Sequence, residues 1–384
     1  MPLNVQKYLR DGGTLEGLTE DLGIRIHHHS ELPLVGFSYS QIDSPKTNNI
    51  VRESRGLTLE KGSWRIVAKA FNRFFRLGEF AEEYETFNWS DFDCYTKADG
   101  SLVLVYNYQG KWYAKTRGSF GGGEVPNNLP DYSPSFSELF WDIMKDKGID
   151  LSKVLDPANT YVFEMCSKFN KVVRLYEKPT AYLLAVFNNE TAKELAHDSV
   201  DTLSVEAGLD RVERFHFTSL GEVQAYMKQQ EDADPTYEGV IVCDDKLLRF
   251  KVKSITYDAL HHMFDNGNIY NPKRLVPWAL NPDPSTLLET YPEVKEHLDA
   301  VKGKVDESYD QLLKVWKEHH KIEEQRTFAQ AIKGKTPFMG LLFALRKKTG
   351  IRGPGGFAPG EQTEEQLYTL WRDSVDGIVK VLFK

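Results

Sequence analysis

The sequence predicts an α+β fold, with a strand-rich domain of antiparallel sheets over residues 1–258 and an all-helical C-terminal domain over 259–384. Two observations carry this. Between Ile24 and Lys253, short apolar runs with two-residue alternation recur between glycine, asparagine and serine turns, as half-buried strands do. Beyond 258 the period changes: Val294, Leu298, Val301, Val305, Leu312 and Val315 recur at three- and four-residue intervals with one longer step, the spacing of an amphipathic helix. At 384 residues, one large or two medium domains are expected.

Taken in order, residues 1–20 read as a short helix and a turn. Ile24–Ile26 and Leu34–Tyr39 read as strands. Arg52–Leu59 and Trp64–Lys69 form an expected hairpin around Glu60-Lys61-Gly62-Ser63, followed by arginines interleaved with aromatics over Phe71–Arg76. Leu102–Tyr108 and Lys111–Arg117 make a second hairpin around Gln109-Gly110. It runs into Gly118-Ser119-Phe120-Gly121-Gly122-Gly123, where three consecutive glycines predict a mobile loop. That loop lacks the lysine and hydroxyl of a phosphate-binding P-loop. Ser137–Lys145 is helical, with Leu139, Phe140, Ile143 and Met144 on one side. Strands resume at Thr160–Cys166 and Ala181–Phe187, a short helix covers Glu222–Gln229, and strands follow at Gly239–Cys243 and Leu248–Lys253. Further on, Phe338–Leu345 and Leu367–Leu382 read as helices separated by a loop at Gly353-Pro354-Gly355-Gly356.

Composition narrows the function classes. The chain is 41% hydrophobic and 27% charged, ordinary for a globular protein. No apolar run approaches the ~20 residues needed to span a membrane, and the N-terminus lacks a signal-peptide apolar region, so a cytoplasmic location without membrane partners is expected. Cys94, Cys166 and Cys243 are too scattered for a disulfide framework or a zinc site. A net charge of -8 argues against indiscriminate nucleic-acid binding but leaves room for a local basic groove. His27-His28-His29 in a strand setting reads as one inward and two outward side chains rather than a metal site. Arg346-Lys347-Lys348 with Arg352 reads as a docking patch, an RNA contact or a solvated helix end.

The chemistry centres on Lys97-Ala98-Asp99-Gly100-Ser101, between two strands. Alone, this is a turn with a solvated lysine. Its companions change the reading. Arg55 lies in Ser54-Arg55-Gly56, Glu164 is in mid-strand among apolar residues, and Glu238 precedes a glycine and a strand. A carboxylate inside an apolar strand requires a partner, because an unpaired buried charge costs several kcal/mol. Lys251 and Lys253 share one strand face by the two-residue period, and a shared anion is the reason to hold like charges side by side. Together these residues fit a lysine that attacks the α-phosphate of a nucleotide and forms a phosphoramidate. A free lysine, with a pKa of about 10.4, is protonated near neutrality. Lys251, Lys253, Arg55 and a divalent metal at Glu238 are expected to lower that pKa and to stabilise the phosphoryl oxygens.

In this order the motifs resemble the covalent nucleotidyltransferase superfamily of polynucleotide ligases and messenger-RNA capping enzymes: K-x-D-G at Lys97, a mid-strand glutamate at Glu164, E-G-x-x-x at Glu238 and K-x-K at Lys251. The likeness sharpens to the phage-type RNA ligase 1 family. That family carries R-G, then K-F-F and a glutamate upstream, and a tyrosine four residues after K-x-K. Here these are Arg55-Gly56, Arg73-Phe74-Phe75 with Glu79, and Tyr257, and an early aromatic pair matches Phe37-Ser38-Tyr39. The resemblance covers roughly residues 24–260. It implies ATP, with a covalent AMP on Lys97, and Mg2+, with Mn2+ able to substitute. Asp99 and Glu164 would support the ribose, Arg55 the ribose and phosphates, and Lys251 and Lys253 the α-phosphate. Glu238 would take the metal, with Asp283 the candidate for a second ion. Arg73 and Tyr257 would approach the outer phosphates and Tyr39 the nucleotide, while Phe75, Gly100 and Arg117 complete the nucleotide-binding set. Arginine replaces the family's lysine at Arg73 and Arg117, a change that keeps charge but alters geometry. The implied function is an ATP-dependent RNA ligase joining 5′-phosphate and 3′-hydroxyl ends in RNA repair. The helical domain would supply specificity for RNA, with tRNA as one candidate, and the enzyme would act as a monomer in a host cytoplasm if phage-encoded. DNA ligase, messenger-RNA guanylyltransferase and a catalytically silent RNA-binding protein are the alternatives. The first two would follow K-x-K with an OB-fold barrel.

Overall fold

The computed structural model describes residues 2–126, 132–264, 270–281, 284, 287–288, 291–349, 351–353, 356–358 and 362–383. The chain divides into two compact units, Met1–His261 and His262–Lys384.

The first unit opens with helices α1 (Asn4–Arg10) and α2 (Leu15–Leu22), two where one was expected. Strands β1 (Ile24–His28) and β2 (Leu34–Tyr39), helix α3 (Asn49–Glu53) and strands β3 (Thr58–Glu60), β4 (Ile66–Ala68) and β5 (Phe75–Arg76) follow. Next come α4 (Ala81–Thr86), β6 (Phe92–Thr96), β7 (Ser101–Tyr108), β8 (Lys111–Thr116), α5 (Phe136–Asp146), α6 (Leu151–Val154), β9 (Asn159–Cys166) and β10 (Thr180–Asn188). The unit closes with α7 (His197–Ala207), β11 (Arg214–His216), α8 (Leu220–Ala233), β12 (Gly239–Asp244), β13 (Arg249–Lys253) and α9 (Ile255–Phe264).

Three sheets result, ordered β1-β2-β3-β4, β10-β9-β7-β8 and β11-β6-β12-β13-β5. All pairings are antiparallel except β13 with β5, where Phe250 and Lys251 face Phe75 and Arg76. β9 is buried at every position except the half-buried Glu164. It runs between β7 and β10, with Glu164 opposite Leu102 and Tyr182. An apolar layer of Tyr95, Ala98, Cys166, Val212 and Cys243 lies beneath the loop after β6.

The stretch expected as a strand from Arg52 is the end of a helix. Asn48 caps α3 by accepting from the Ile50 and Val51 amides, as asparagine does at helix starts. Glu53 then accepts from the amides of Asn4 and Val5 at 3.1 and 3.0 Å, which fastens α1 to α3. Gly56, at φ +81, turns the chain into β3. The glycine loop after β8 is stitched by Thr116 N to Ser119 O (3.1 Å), Gly122 N to Ser119 Oγ (3.1 Å) and Phe136 N to Gly123 O (2.9 Å). His27 bonds Ser38 (2.8 Å) and His29 accepts two amides, so two of the three histidines are engaged and His28 is exposed.

The second unit is helical apart from a short ribbon. Its longest helix is Lys295–His319, entered through a 3-10 turn at Pro292–Val294. Pro354 and Gly355 of the expected Gly/Pro loop lie outside the described residues; the stretches on either side, Ile351–Gly353 and Gly356–Ala358, pair as a short antiparallel ribbon within the helical region. The helix expected over Leu367–Leu382 is two helices, Glu364–Arg372 and Val375–Leu382.

Arg346 is not part of a surface patch. It is 1% exposed and donates to Ile322 O (2.7 Å), Glu323 O (2.9 Å) and Gln325 Oε1 (3.2 Å), over the Phe328 ring. Arg346→Ala is expected to lower the stability of this unit by about 2–4 kcal/mol, because it leaves two carbonyls without donors. A solvated arginine would cost under about 0.5 kcal/mol. Denaturant unfolding of the two proteins distinguishes these values.

Candidate active site

Backbone pairing sets the site. Thr96 at the end of β6 faces Val240, and the next amide, that of Lys97, donates to Gly239 O at 2.9 Å. Gly239 in turn faces Lys253 across β12 and β13. Lys97, Gly239 and Lys253 therefore form one row. Gly239 has φ +140, and a Cβ there would lie 2.2 Å from Val252 O, so only glycine permits the close approach that brings Glu238 into the row.

Glu238 is 5% exposed and bridges the two lysines. Its Oε2 accepts from Lys97 Nζ at 2.7 Å and its Oε1 from Lys253 Nζ at 2.9 Å. Burial pushes the Glu238 carboxyl up, but Lys97 and Lys253 outweigh it and hold the pKa below the ordinary value. Burial likewise favours neutral Lys97, but Glu238, Glu164 and Asp99 together hold its pKa above the ordinary lysine value. The expectation of a cation-depressed Lys97 is reversed in this state: the carboxylate on the ammonium dominates the cations further away.

The other charges are less well matched. Burial raises the Glu164 pKa to about 7, with Lys97 opposing and Glu238 adding, and the carboxyl makes no side-chain hydrogen bond among the described residues. Burial, then Arg55, Lys97 and Arg73, depress Lys251 to about 7. No carboxylate pairs with Lys251 among the described residues; its Nζ lies 4.8 Å from the Phe74 ring centroid. The Arg55 guanidinium donates to the Tyr39 hydroxyl and lies over Phe74 at 5.6 Å, yet its buried Nη1 has no partner among the described residues. Arg73 pairs with Glu79 at 2.6 Å, and its Nη1 is likewise buried without a partner.

Of these groups, Arg55, Lys97, Glu164, Lys251 and Lys253 line a cleft of about 220 Å³, together with Phe71, Phe74, Leu184, Val212 and Ile241 and with His197 and Arg249. A more open groove on another side shares Arg55, Lys97 and Glu164 and is bordered by Arg117, Gly118, Gly122 and Phe136. Arg117 lies 5.5 Å from the Tyr39 ring.

Several expected site residues serve as framework. Phe75 is 2% exposed and packs on Phe80, away from the cleft, while its neighbour Phe74 lines it. Adjacent residues in extended chain point opposite ways, and the aromatic pair could not reveal which one faces inward. Asp99 is 3% exposed: its Oδ1 accepts from Tyr257 (2.6 Å) and its Oδ2 from the amides of Val173 (2.9 Å) and Arg174 (2.7 Å). That carboxylate is spent on the loop after β9 rather than turned to a ribose. Tyr257 is 1% exposed with its hydroxyl on Asp99. Gly100 serves packing: a Cβ would lie 2.2 Å from Met165 O. Asp283 lies outside the described residues. Phe71, Leu184, Val212 and Ile241 were missed because core and cleft aliphatics look alike in sequence.

The residues present fit a nucleotide polyphosphate. Lys251 without a carboxylate and Arg55 with an orphaned buried N–H are anion ligands lacking an anion, and Arg73 keeps one buried N–H unpaired beside its bond to Glu79. For a metal the fit is conditional on that anion. Among the described residues, no group of three acidic, histidine or cysteine side chains is arranged to hold an ion. Magnesium bound through phosphates needs only one or two carboxylates, and Glu238 supplies one.

The family model for RNA ligase matches residues 53–257, which include Arg55, Lys97, Glu164, Glu238, Lys251, Lys253 and Tyr257. A protein of Autographa californica nuclear polyhedrosis virus, named as a bifunctional polynucleotide kinase/RNA ligase, is 28% identical over 309 residues, 76% of this chain. The chain spans 42% of that relative's length. An RNA ligase of Rhodothermus phage RM378 is 22% identical over 70% of this chain and 74% of its own. A solved archaeal ATP-dependent RNA ligase superposes over 96% of both chains at 15% identity, with a TM-score of 0.47. With more than half of its residues matched by the family model, the motif order around Lys97 has a plain meaning: the chain belongs to the phage-type RNA ligase family.

Proposed function

We propose that this chain is an ATP-dependent RNA ligase acting through enzyme-lysyl-AMP and RNA-adenylate intermediates. The observation that carries the reading is a half-buried lysine beside cations with unmet hydrogen-bonding capacity: Lys97 next to Lys251 and the orphaned N–H groups of Arg55 and Arg73. In the first step Lys97 Nζ forms a bond to the α-phosphorus while the bond to the bridging oxygen breaks and pyrophosphate leaves. In the second, an oxygen of the RNA 5′-phosphate displaces the lysine. In the third, the 3′-hydroxyl attacks the activated RNA phosphate and AMP leaves.

Magnesium, replaceable by manganese, would be held by Glu238 and nucleotide oxygens and would supply charge neutralisation at the phosphates. Once Glu238 turns from Lys97, burial, the largest influence on it, favours the neutral amine against the remaining pull of Glu164 and Asp99. Lys251 and Lys253 then hold α-phosphate oxygens, and Arg55 the phosphate and ribose side. The apolar walls of the cleft, Phe74 and Ile241 among them, receive the base. Residues 1–258 act as the adenylyltransferase domain and 259–384 as the RNA- or tRNA-specificity domain. A helical second unit, where a DNA ligase or capping enzyme would carry an OB barrel, supports RNA over those alternatives. Among the described residues no helix is long and apolar enough to cross a membrane. The enzyme works as a cytoplasmic monomer.

Incubation with α-labelled ATP and magnesium should label the protein, and Lys97→Ala should abolish the label. Retained label would exclude Lys97 as the nucleophile, and labelling by GTP alone would favour a guanylyltransferase. The labelled protein should join 5′-phosphorylated single-stranded RNA; sealing only of nicked DNA would refute the RNA assignment.

Nucleotide binding should take up protons near pH 8. With a pKa of about 7, Lys251 is mostly neutral there in the free protein. A phosphate oxygen stabilises its charged form and raises that pKa, so binding draws a proton from buffer. Calorimetry in two buffers of different ionisation enthalpy measures the uptake, which should shrink toward pH 6. Buffer-independent heats at pH 8 would contradict it.

A further inference from the structure

Lys46 stands in the loop after β2, outside every motif position assigned above. Its Nζ donates to Ser40 O at 2.6 Å and Ser44 O at 3.2 Å, which occupies two of its three N–H groups. The loop that presents it is itself fixed: Ser40 N donates to Ser44 Oγ (3.0 Å) and Ser44 Oγ to Gly23 O (3.0 Å). Among the described residues no carboxylate forms an ion pair with Lys46. The ammonium lies 5.6 Å from the Tyr39 ring. Arg117 approaches that ring at 5.5 Å, and its hydroxyl accepts from Arg55. Three cations thus converge on one buried tyrosine. Arg73 is close enough to be the second cause, after burial, of a lowered Lys46 pKa. Arg73 is 8% exposed and keeps a buried N–H without a partner.

Lys46 keeps a free N–H and Arg73 an orphaned one; Glu79 on Arg73, together with Asp43, offsets part of the repulsion between the two cations, and a bridging anion relieves the rest. Arg73 also depresses Lys251, so the positive charge continues from the reacting end of the cleft outward to Lys46. Resting on the ligase reading, we infer that Lys46 is a phosphate-binding residue at the outer end of this arc, holding the departing pyrophosphate together with Arg73 in the first step and the RNA 5′-phosphate in the second. In-line displacement requires the double use. Lys97 attacks the α-phosphorus as the bridging oxygen leaves opposite it, taking the bond's electron pair. In the second step the N–P bond breaks toward Lys97, so the attacking 5′-phosphate oxygen enters from the side pyrophosphate vacated.

The test compares Lys46→Gln and Lys46→Arg with the wild type in self-adenylylation, in its reversal by pyrophosphate, and in inhibition by AMP, which carries no outer phosphate. Lys46→Gln should raise the KM for ATP and the half-saturating pyrophosphate concentration by about tenfold or more, the scale of one charge-assisted hydrogen bond. The inhibition constant of AMP should stay unchanged, and Lys46→Arg should recover most of the loss. Unchanged pyrophosphate dependence overturns the assignment. A parallel loss of AMP affinity also overturns it, because the loop would then only be shaping the cleft. A wild-type protein that takes no label from ATP refutes the ligase reading itself, and this inference with it.

Discussion

One carboxylate between two ammonium groups fixes the geometry of the cleft. Burying Glu238 costs several kcal/mol of lost hydration in effective terms. The return is adequate only because Lys97 and Lys253 lie at 2.7 and 2.9 Å on its two oxygens. Nothing adjustable sets that distance. The β6–β12–β13 ladder brings the backbones into register, and the absent side chain of Gly239 lets Glu238 enter where β12 begins. Lys97 is therefore positioned by sheet hydrogen bonds and charged by its neighbour. In this state its location suits a nucleophile and its protonation does not.

The cations beyond that pair explain why the arrangement is poised. Arg55 and Arg73 each bury an N–H without an acceptor, and Lys251 has only an aromatic face beside it. Other cations of the unit are paired to different degrees: Arg249, which also lines the cleft, pairs through both terminal nitrogens with Glu194, Arg52 pairs with Glu83, and buried Lys115 donates to Gly56 O at 3.2 Å with no carboxylate partner among the described residues. The cleft therefore holds one satisfied arginine, Arg249, beside Arg55, which keeps an orphaned N–H, and Lys251, which meets no carboxylate among the described residues. Local inconsistency of this kind is expected at functional sites rather than in framework. A polyphosphate resolves it, since each of its oxygens accepts what the protein leaves unaccepted.

Sequence reasoning recovered the row but not the layer behind it. Lys251 and Lys253 share a face because strands alternate, and Glu164 stood out because an acid in an apolar strand is costly; both arguments need only local pattern. The helix over Phe136–Asp146 emerged for the same reason, from the apolar spacing of Leu139, Phe140, Ile143 and Met144, while the Ser135–Glu138 capping box that starts it is seen in the structure. What stayed hidden depends on distant partners. Arg346 resembled a patch residue until its acceptors at 322, 323 and 325 were in place. Phe74 and Phe75 are chemically identical, and only the parallel pairing of β5 with β13 decides which enters the core. The strand expected at Arg52 failed because the Asn48 cap and the Glu53 bond to α1 outweigh local alternation.

The four acids around Lys97 divide by what already occupies their oxygens. Asp99 has given both to Tyr257 and to the amides of Val173 and Arg174, so it anchors the loop that carries Lys97. Glu238 has given both to lysines and can exchange them only for other cations. Asp258 is paired with Arg76 and Lys253 beyond the row. Glu164 alone of the four makes no side-chain hydrogen bond among the described residues, and burial brings its pKa to about 7. A carboxyl near neutrality is the group in this set able to accept or donate a hydrogen bond as its contents change. The mid-strand glutamate therefore needs a partner, but one the protein itself does not provide: a ligand placed between Glu164, Arg55 and Lys97 meets an acid still free to adapt to it.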